Sequence, residues 1–140
     1  MIHPQKVKDL KMGEDGENDI YEMINKYLSI NALKTGKYCP FDMEDENHCI
    51  EIKTRRYNIN SFDEFFFPFS KIKYADDKGK CVSIINNLTD GVYLFDYTKH
   101  QDKCRVVENQ FCRRDRGRIE TKTMCYCPTE YFEYMGKIAK

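Results

Sequence analysis

The chain has 140 residues, 41% of them hydrophobic and 33% charged, with seven Gly and four Pro. That composition excludes a disordered chain and allows one domain with a real core, burying roughly two-thirds of the unfolded surface. Basic and acidic residues balance at 23 each, which excludes a polycation that finds nucleic acid by bulk charge. No apolar run approaches the roughly 18 residues of a membrane span, and the start, MIHPQKVKDLKMGEDGEND, lacks the apolar stretch of a secretion signal. With an odd count of seven cysteines at irregular spacing, the expectation is an intracellular protein with reduced thiols.

Residues 1–12 read as a loose lead-in to a single domain spanning 1–140. From about Glu17 to Leu33, Ile20, Ile24, Tyr27 and Leu28 recur at helical spacing, and acids crowd the start, where the helix dipole favours them. The KTGK at 34–37 ends that helix. Two strand-like runs follow, roughly Lys37–Glu44 and His48–Arg55. NINSFDEFFFPF reads as irregular, and Pro68 is placed to open a short helix over PFSKIKYADD. CVSIINNL, the turn TDG and VYLFDY form a predicted hairpin. CRVVENQF and RIETKTMCYC give two more strands, and a last helix is predicted from Pro128 or Thr129 through TEYFEYMGKI. Antiparallel hairpins with helices between them predict an α+β fold.

The chemistry concentrates in CPFDMEDENHCIEIKTRR, positions 39–56. A turn centred on Glu46-Asn47 pairs Glu44 with Cys49, Met43 with Ile50 and Asp42 with Glu51. Phe41, Met43, Ile50 and Ile52 then share one face, with Asp42, Glu51 and Lys53 on the other. Opposed carboxylates need compensation, which Lys53 or a divalent cation supplies. The bland alternative is a solvated polar face. Glu17 falls in the apolar stripe of the first helix, an acid at its inward start. Lys71 lies early in the helix after the hairpin. Cys125 and Cys127 would share one side of a strand, but no second Cys/His pair of zinc-finger spacing accompanies them, so they read as space-filling.

In order and spacing this layout resembles the PD-(D/E)xK nuclease superfamily. GEDGENDIYEMINKYL looks like its first helix, PFD followed by EIK like its core, and SKIKYA like the next helix with a further Lys. Within that superfamily it is similar to small predicted endonucleases of large DNA viruses and to Holliday-junction-resolvase-like enzymes. The usual PD dipeptide is replaced by Phe41-Asp42, and the resemblance covers about 13–97. It implies a mixed central sheet flanked by helices, an αβββαβ restriction-endonuclease-like core with extra C-terminal strands and a short helix. It also implies that Asp42, Glu51 and the Ile52 carbonyl hold Mg²⁺ or Mn²⁺. Lys53 would orient or deprotonate water or steady the phosphate. Glu17 would serve a second ion or its water, and Lys71 would contact the scissile region.

Arg55 and Arg56 follow the predicted catalytic strand, and RRDRGR, with Arg113, Arg114 and Arg116, is the strongest basic cluster. Over 99–122 eight Lys/Arg face four Asp/Glu, a local excess of four positive charges. Arginine suits phosphate because its planar fork binds two oxygens; a solvated hairpin turn is the plainer reading. The expected activity is phosphodiester hydrolysis in DNA, including branched or repair intermediates, with a homodimer by analogy to resolvases. The rival is a non-catalytic nucleic-acid-binding or assembly module on the same scaffold. A cysteine–histidine enzyme is disfavoured, because His48 and Cys49 would point to opposite faces of a strand.

Overall fold

A computed structural model describes residues 19–113 and 118–138. Helix α1, 19–28 as described, buries Ile20 and Ile24 and ends at Ser29, which takes a left-handed φ of 55°. The helix therefore stops short of the predicted Leu33. The Asn25 side chain explains why: its amide donates to the Ala32 carbonyl at 3.0 Å and accepts from the Ala32 N–H at 2.9 Å. This clasp turns the chain back into strand β1, Leu33–Lys34. Tyr27, expected in the buried stripe, is exposed and donates to Glu133.

Strand β2 is only Met43–Glu44, and β3 is His48–Thr54. Their register is the expected one, Met43 with Ile50 and Glu44 with Cys49. Glu46-Asn47 turns without glycine because Asp45 Oδ1 accepts from the Asn47 and His48 N–H groups, both at 2.7 Å. The Asp42 N–H also donates to the Ile50 carbonyl, so Asp42 and Met43 both oppose Ile50, the geometry of a β-bulge. One extra residue reverses the alternation before it. Phe41 consequently leaves the Met43 face and packs with Cys49 and Ile72 on the other side. The expectation of one apolar and one polar face is corrected accordingly, since both faces are covered.

NINSFDEFFFPF, predicted irregular, contains a 3-10 turn at Ile59–Ser61 and strand β4, Glu64–Pro68. Pro68 closes β4 rather than opening the helix. It is tolerated because β4 is an edge strand. Helix α2 is Ser70–Asp77. Strands β5, Cys81–Leu88, and β6, Gly91–Asp96, form the predicted hairpin. Gly91 has a φ of 148°, and a Cβ there would run into the Tyr134 ring. A short helix α3, Tyr97–His100, follows, capped by Asp96 accepting from the Lys99 N–H. Strands β7, Arg105–Arg113, and β8, Arg118–Pro128, pair antiparallel. The predicted last helix is instead a 3-10 turn, Thr129–Tyr131, and strand β9, Glu133–Gly136, on β6. Packing of Tyr134 against Tyr93, ring centroids 5.4 Å apart, overrides the helix-forming residues.

The result is α+β. A mixed six-stranded sheet runs β1-β2-β3-β5-β6-β9, antiparallel except for the parallel β3–β5 pair, and a three-stranded sheet runs β4-β8-β7. One face of the large sheet packs Met43, Ile50, Ile85 and Leu94 with Ile20 and Ile24 of α1. The other packs Cys49, Ile84 and Phe95 with Ile72 of α2 and with Phe67 and Cys125 of the small sheet. No helix among the described residues is long and apolar enough to cross a membrane.

Glu44 locks the hairpin to its surroundings. Tyr74 Oη donates to both its oxygens, at 2.8 and 3.0 Å, and Lys80 Nζ donates at 3.0 Å. Burial pushes the carboxyl up, but the bonds from Lys80 and Tyr74 more than offset this and hold it below its ordinary 4.5. A depressed carboxylate stabilises the fold above the unfolded-state value and loses that contribution as pH falls through the folded value. Urea midpoints of the wild type are therefore expected to fall more steeply below pH about 4.5 than those of Glu44→Gln. Parallel curves would remove this role from Glu44.

Candidate active site

Strand β3 carries the site. Its odd residues Cys49, Glu51 and Lys53 face α2, and its even residues face α1. Glu51 is 7% exposed. Lys71, in the first turn of α2, places Nζ 2.6 Å from Glu51 Oε2. Asp42 reaches the same strand from the bulge: its Oδ2 accepts from the Ile52 N–H at 2.8 Å. Because N–H and C=O of an extended residue point to one edge, the Ile52 carbonyl also faces Asp42 rather than β5. Asp42 and Glu51 thus do not oppose each other across a ladder. Asp42 lies at the edge of β3 and Glu51 beneath α2, close enough to act on one another electrostatically.

The charges are coupled. Burial raises the Glu51 carboxyl above its ordinary value, and the neighbouring Asp42 adds to this; the Lys71 hydrogen bond and Lys53 only partly offset it. Burial pushes the Lys53 ammonium below its ordinary value; Arg55 and Lys71 push the same way, against Glu51 and Asp42. Two acids and two lysines therefore form one electrostatic unit, in which neither Glu51 nor Lys53 is comfortable in its charged form.

Comparison with known proteins gives no matching family, no matching characterised protein and no matching solved structure.

The remaining predicted residues fall as follows. Arg55 and Arg56 are exposed just past β3, with the Arg55 N–H bonded to Asn87 and its guanidinium to the Thr54 carbonyl. Arg113 is the last residue of β7, paired with Arg118 across the hairpin. Glu17, Arg114 and Arg116 lie outside the described residues.

Sequence reasoning missed Asn86. Residues Val82, Ile84 and Asn86 of β5 share the α2 face, and Asn86 pairs with Lys53 in the parallel register. It is 2% exposed, and its Nδ2 has no hydrogen-bond partner. A buried orphan donor costs roughly 1–3 kcal/mol. Its signal in the sequence was an amide inside the apolar run CVSIINNL. Also missed was the approach of Cys104 to Cys125 and Cys127; the three sulphurs lie within 4.8 Å of one another.

Proposed function

We propose that the chain is a metal-dependent endonuclease of the PD-(D/E)xK type, hydrolysing phosphodiester bonds in DNA. The observation that carries this reading is the convergence of Asp42, Glu51, Lys53 and Lys71, from a bulge, one strand and one helix, on a single site. The order of α1, β1, β2, β3, α2 and β5 supports it, being the order the resemblance implies once β4 is set aside as an insertion. So does the parallel β3–β5 pair joined through α2.

The donor set fits a hard divalent cation. Two carboxylates and an edge carbonyl are oxygen ligands of the kind Mg²⁺ takes, and the buried Glu51 charge is not fully compensated by protein. Asp42, Glu51 and the Ile52 carbonyl would hold it, and when bound it supplies Lewis-acid polarisation of the phosphoryl oxygen. Lys53 Nζ, held below its ordinary pKa, is more often in the neutral form that can accept a proton from the attacking water than an exposed lysine is. Lys71 balances Glu51 in the free protein and turns to a phosphate oxygen when the substrate arrives. Asn86 Nδ2 adds a preorganised donor beside Lys53. Arg55 and Arg56 grip the flanking backbone, and the basic run with Arg113, Arg114 and Arg116 supplies further arginines suited to phosphate.

Asn86→Leu is expected to lower kcat/KM about 10- to 100-fold, a typical cost for one lost donor. The metal-free melting temperature should hold or rise, because the variant removes an unsatisfied group. A fall in stability with unchanged cleavage would make Asn86 structural. The direct test of function is cleavage of duplex, branched and single-stranded DNA with Mg²⁺ or Mn²⁺ against an EDTA control. Cleavage with either ion and none in EDTA is expected.

One observation favours a second reading. Lys71 already sits 2.6 Å from Glu51, as a permanent structural ion pair would. A non-catalytic nucleic-acid-binding module would keep that pair, bind DNA without divalent ions and cleave none of the substrates.

A further inference from the structure

Cys104, Cys125 and Cys127 take no part in the site above. Their sulphurs gather because of backbone register: Arg105 pairs with Tyr126, so Cys104, one residue earlier, comes opposite Cys127. Alternation then puts Cys125 on the same face of β8. Tyr126, between them, points the other way, under the Arg105 guanidinium and beside Phe66. Cys125 and Cys127 are buried in the core with Phe67, Phe95 and Tyr97, and Cys104 packs against that cluster from a half-buried position. Among the described residues no other group of three or more His, Cys, Asp or Glu side chains brings its ligand atoms this close together.

We propose that Cys104, Cys125 and Cys127 bind a thiophilic divalent ion, Zn²⁺, as a structural site that pins the β7–β8 hairpin to the segment after α3. With Zn–S near 2.3 Å, tetrahedral ligation sets sulphurs about 3.8 Å apart. Cys104 Sγ and Cys127 Sγ are 4.0 Å apart, and all three sulphurs lie within 4.8 Å. Closing the set around an ion therefore needs shifts of about 1 Å or less. Cys104 is half-buried, so a fourth ligand can reach the ion from that side. Thiolates select soft ions and oxygen donors hard ones, so this site does not compete with Asp42 and Glu51 for Mg²⁺. The inference stands apart from the nuclease reading.

The test is the metal content of the full chain purified under reducing conditions, followed by titration of the metal-free protein with Co²⁺ and competition by Zn²⁺. One ion per chain is expected, with thiolate-to-cobalt charge-transfer absorption. Cys104→Ser is expected to weaken Zn²⁺ binding by more than about 100-fold, since loss of a mere outer-shell partner costs 10- to 100-fold. Cys81→Ser, at an exposed cysteine outside the cluster, should leave it unchanged. Cys104 is only half-buried, so this variant remains decisive where substitutions at Cys125 or Cys127 fail to fold. No stoichiometric uptake by the reduced wild type would overturn the proposal. So would a Zn²⁺ affinity of Cys104→Ser equal to that of the wild type, or a Cys104–Cys127 disulfide found by mass spectrometry in the unreduced protein.

Discussion

Replacing Lys53 with alanine is expected to lower single-turnover DNA cleavage about 100- to 10,000-fold, the range for loss of a positioned acid–base group. The fold should survive. Lys53 is partly buried, and its environment already disfavours the charged ammonium, so removing it relieves a cost. The proton ledger predicts the pH profile. A lysine held below its ordinary value of 10.5 reaches its neutral, proton-accepting form at lower pH. The wild-type rate should therefore rise with pH and level off below the pH at which an exposed lysine would titrate. Lys53→Arg separates the two roles open to this side chain: arginine keeps the charge but cannot give up its proton. An inactive arginine variant identifies a base; a largely active one reduces Lys53 to a charge beside the phosphate.

Glu51→Gln should move activity and stability in opposite directions. Cleavage is expected to fall below detection, because a neutral amide is a poor ligand for Mg²⁺. The metal-free protein should gain about 1 kcal/mol, a common size for repair of a strained functional site. The sign follows from linkage. Burial and Asp42 raise the Glu51 carboxyl, so between the ordinary value and the raised one the folded state binds more protons than the unfolded state. Stability from Glu51 is full below the unfolded value and declines as pH rises through the raised one. Lys71 softens this penalty and, being partly exposed, can turn to solvent when its partner is neutral. Thermal melts with and without Mg²⁺ give the readout. The wild type should be stabilised by the ion above the raised value, and Glu51→Gln should not respond. A variant less stable than the wild type would instead make the Lys71–Glu51 pair a net structural contact.

Much of this site was legible in the sequence because it depends on local pattern. The β2–β3 register at Met43–Ile50 and Glu44–Cys49 follows from counting outward from Glu46-Asn47, and alternation along β3 sets Glu51 and Lys53 on one face. The bulge at Asp42 was not legible, since nothing in PFDME marks the place where two residues oppose one; Phe41 changed faces as a consequence. Strand β4 was hidden by Pro68, which an edge strand accepts and a central strand does not. Its partner β8 lies some sixty residues along the chain, beyond the reach of any local signal. The C-terminal strand β9 was misread as a helix because Pro128 and Thr129 resemble a helix start, while β6 offered an open edge to a tyrosine-rich segment. Cys125 and Cys127 were read as space-filling because no second Cys/His pair of zinc-finger spacing accompanies them; Cys104 was missed because β7–β8 pairing, not sequence spacing, delivers it.

The most direct test of the central claim is a crystal structure of the protein soaked with Mn²⁺, read from the anomalous signal of the ion. The account predicts one peak about 2 Å from a carboxylate oxygen of both Asp42 and Glu51, with Lys71 drawn off Glu51. Density that leaves Lys71 on Glu51, with no ion shared by the two acids, would contradict it.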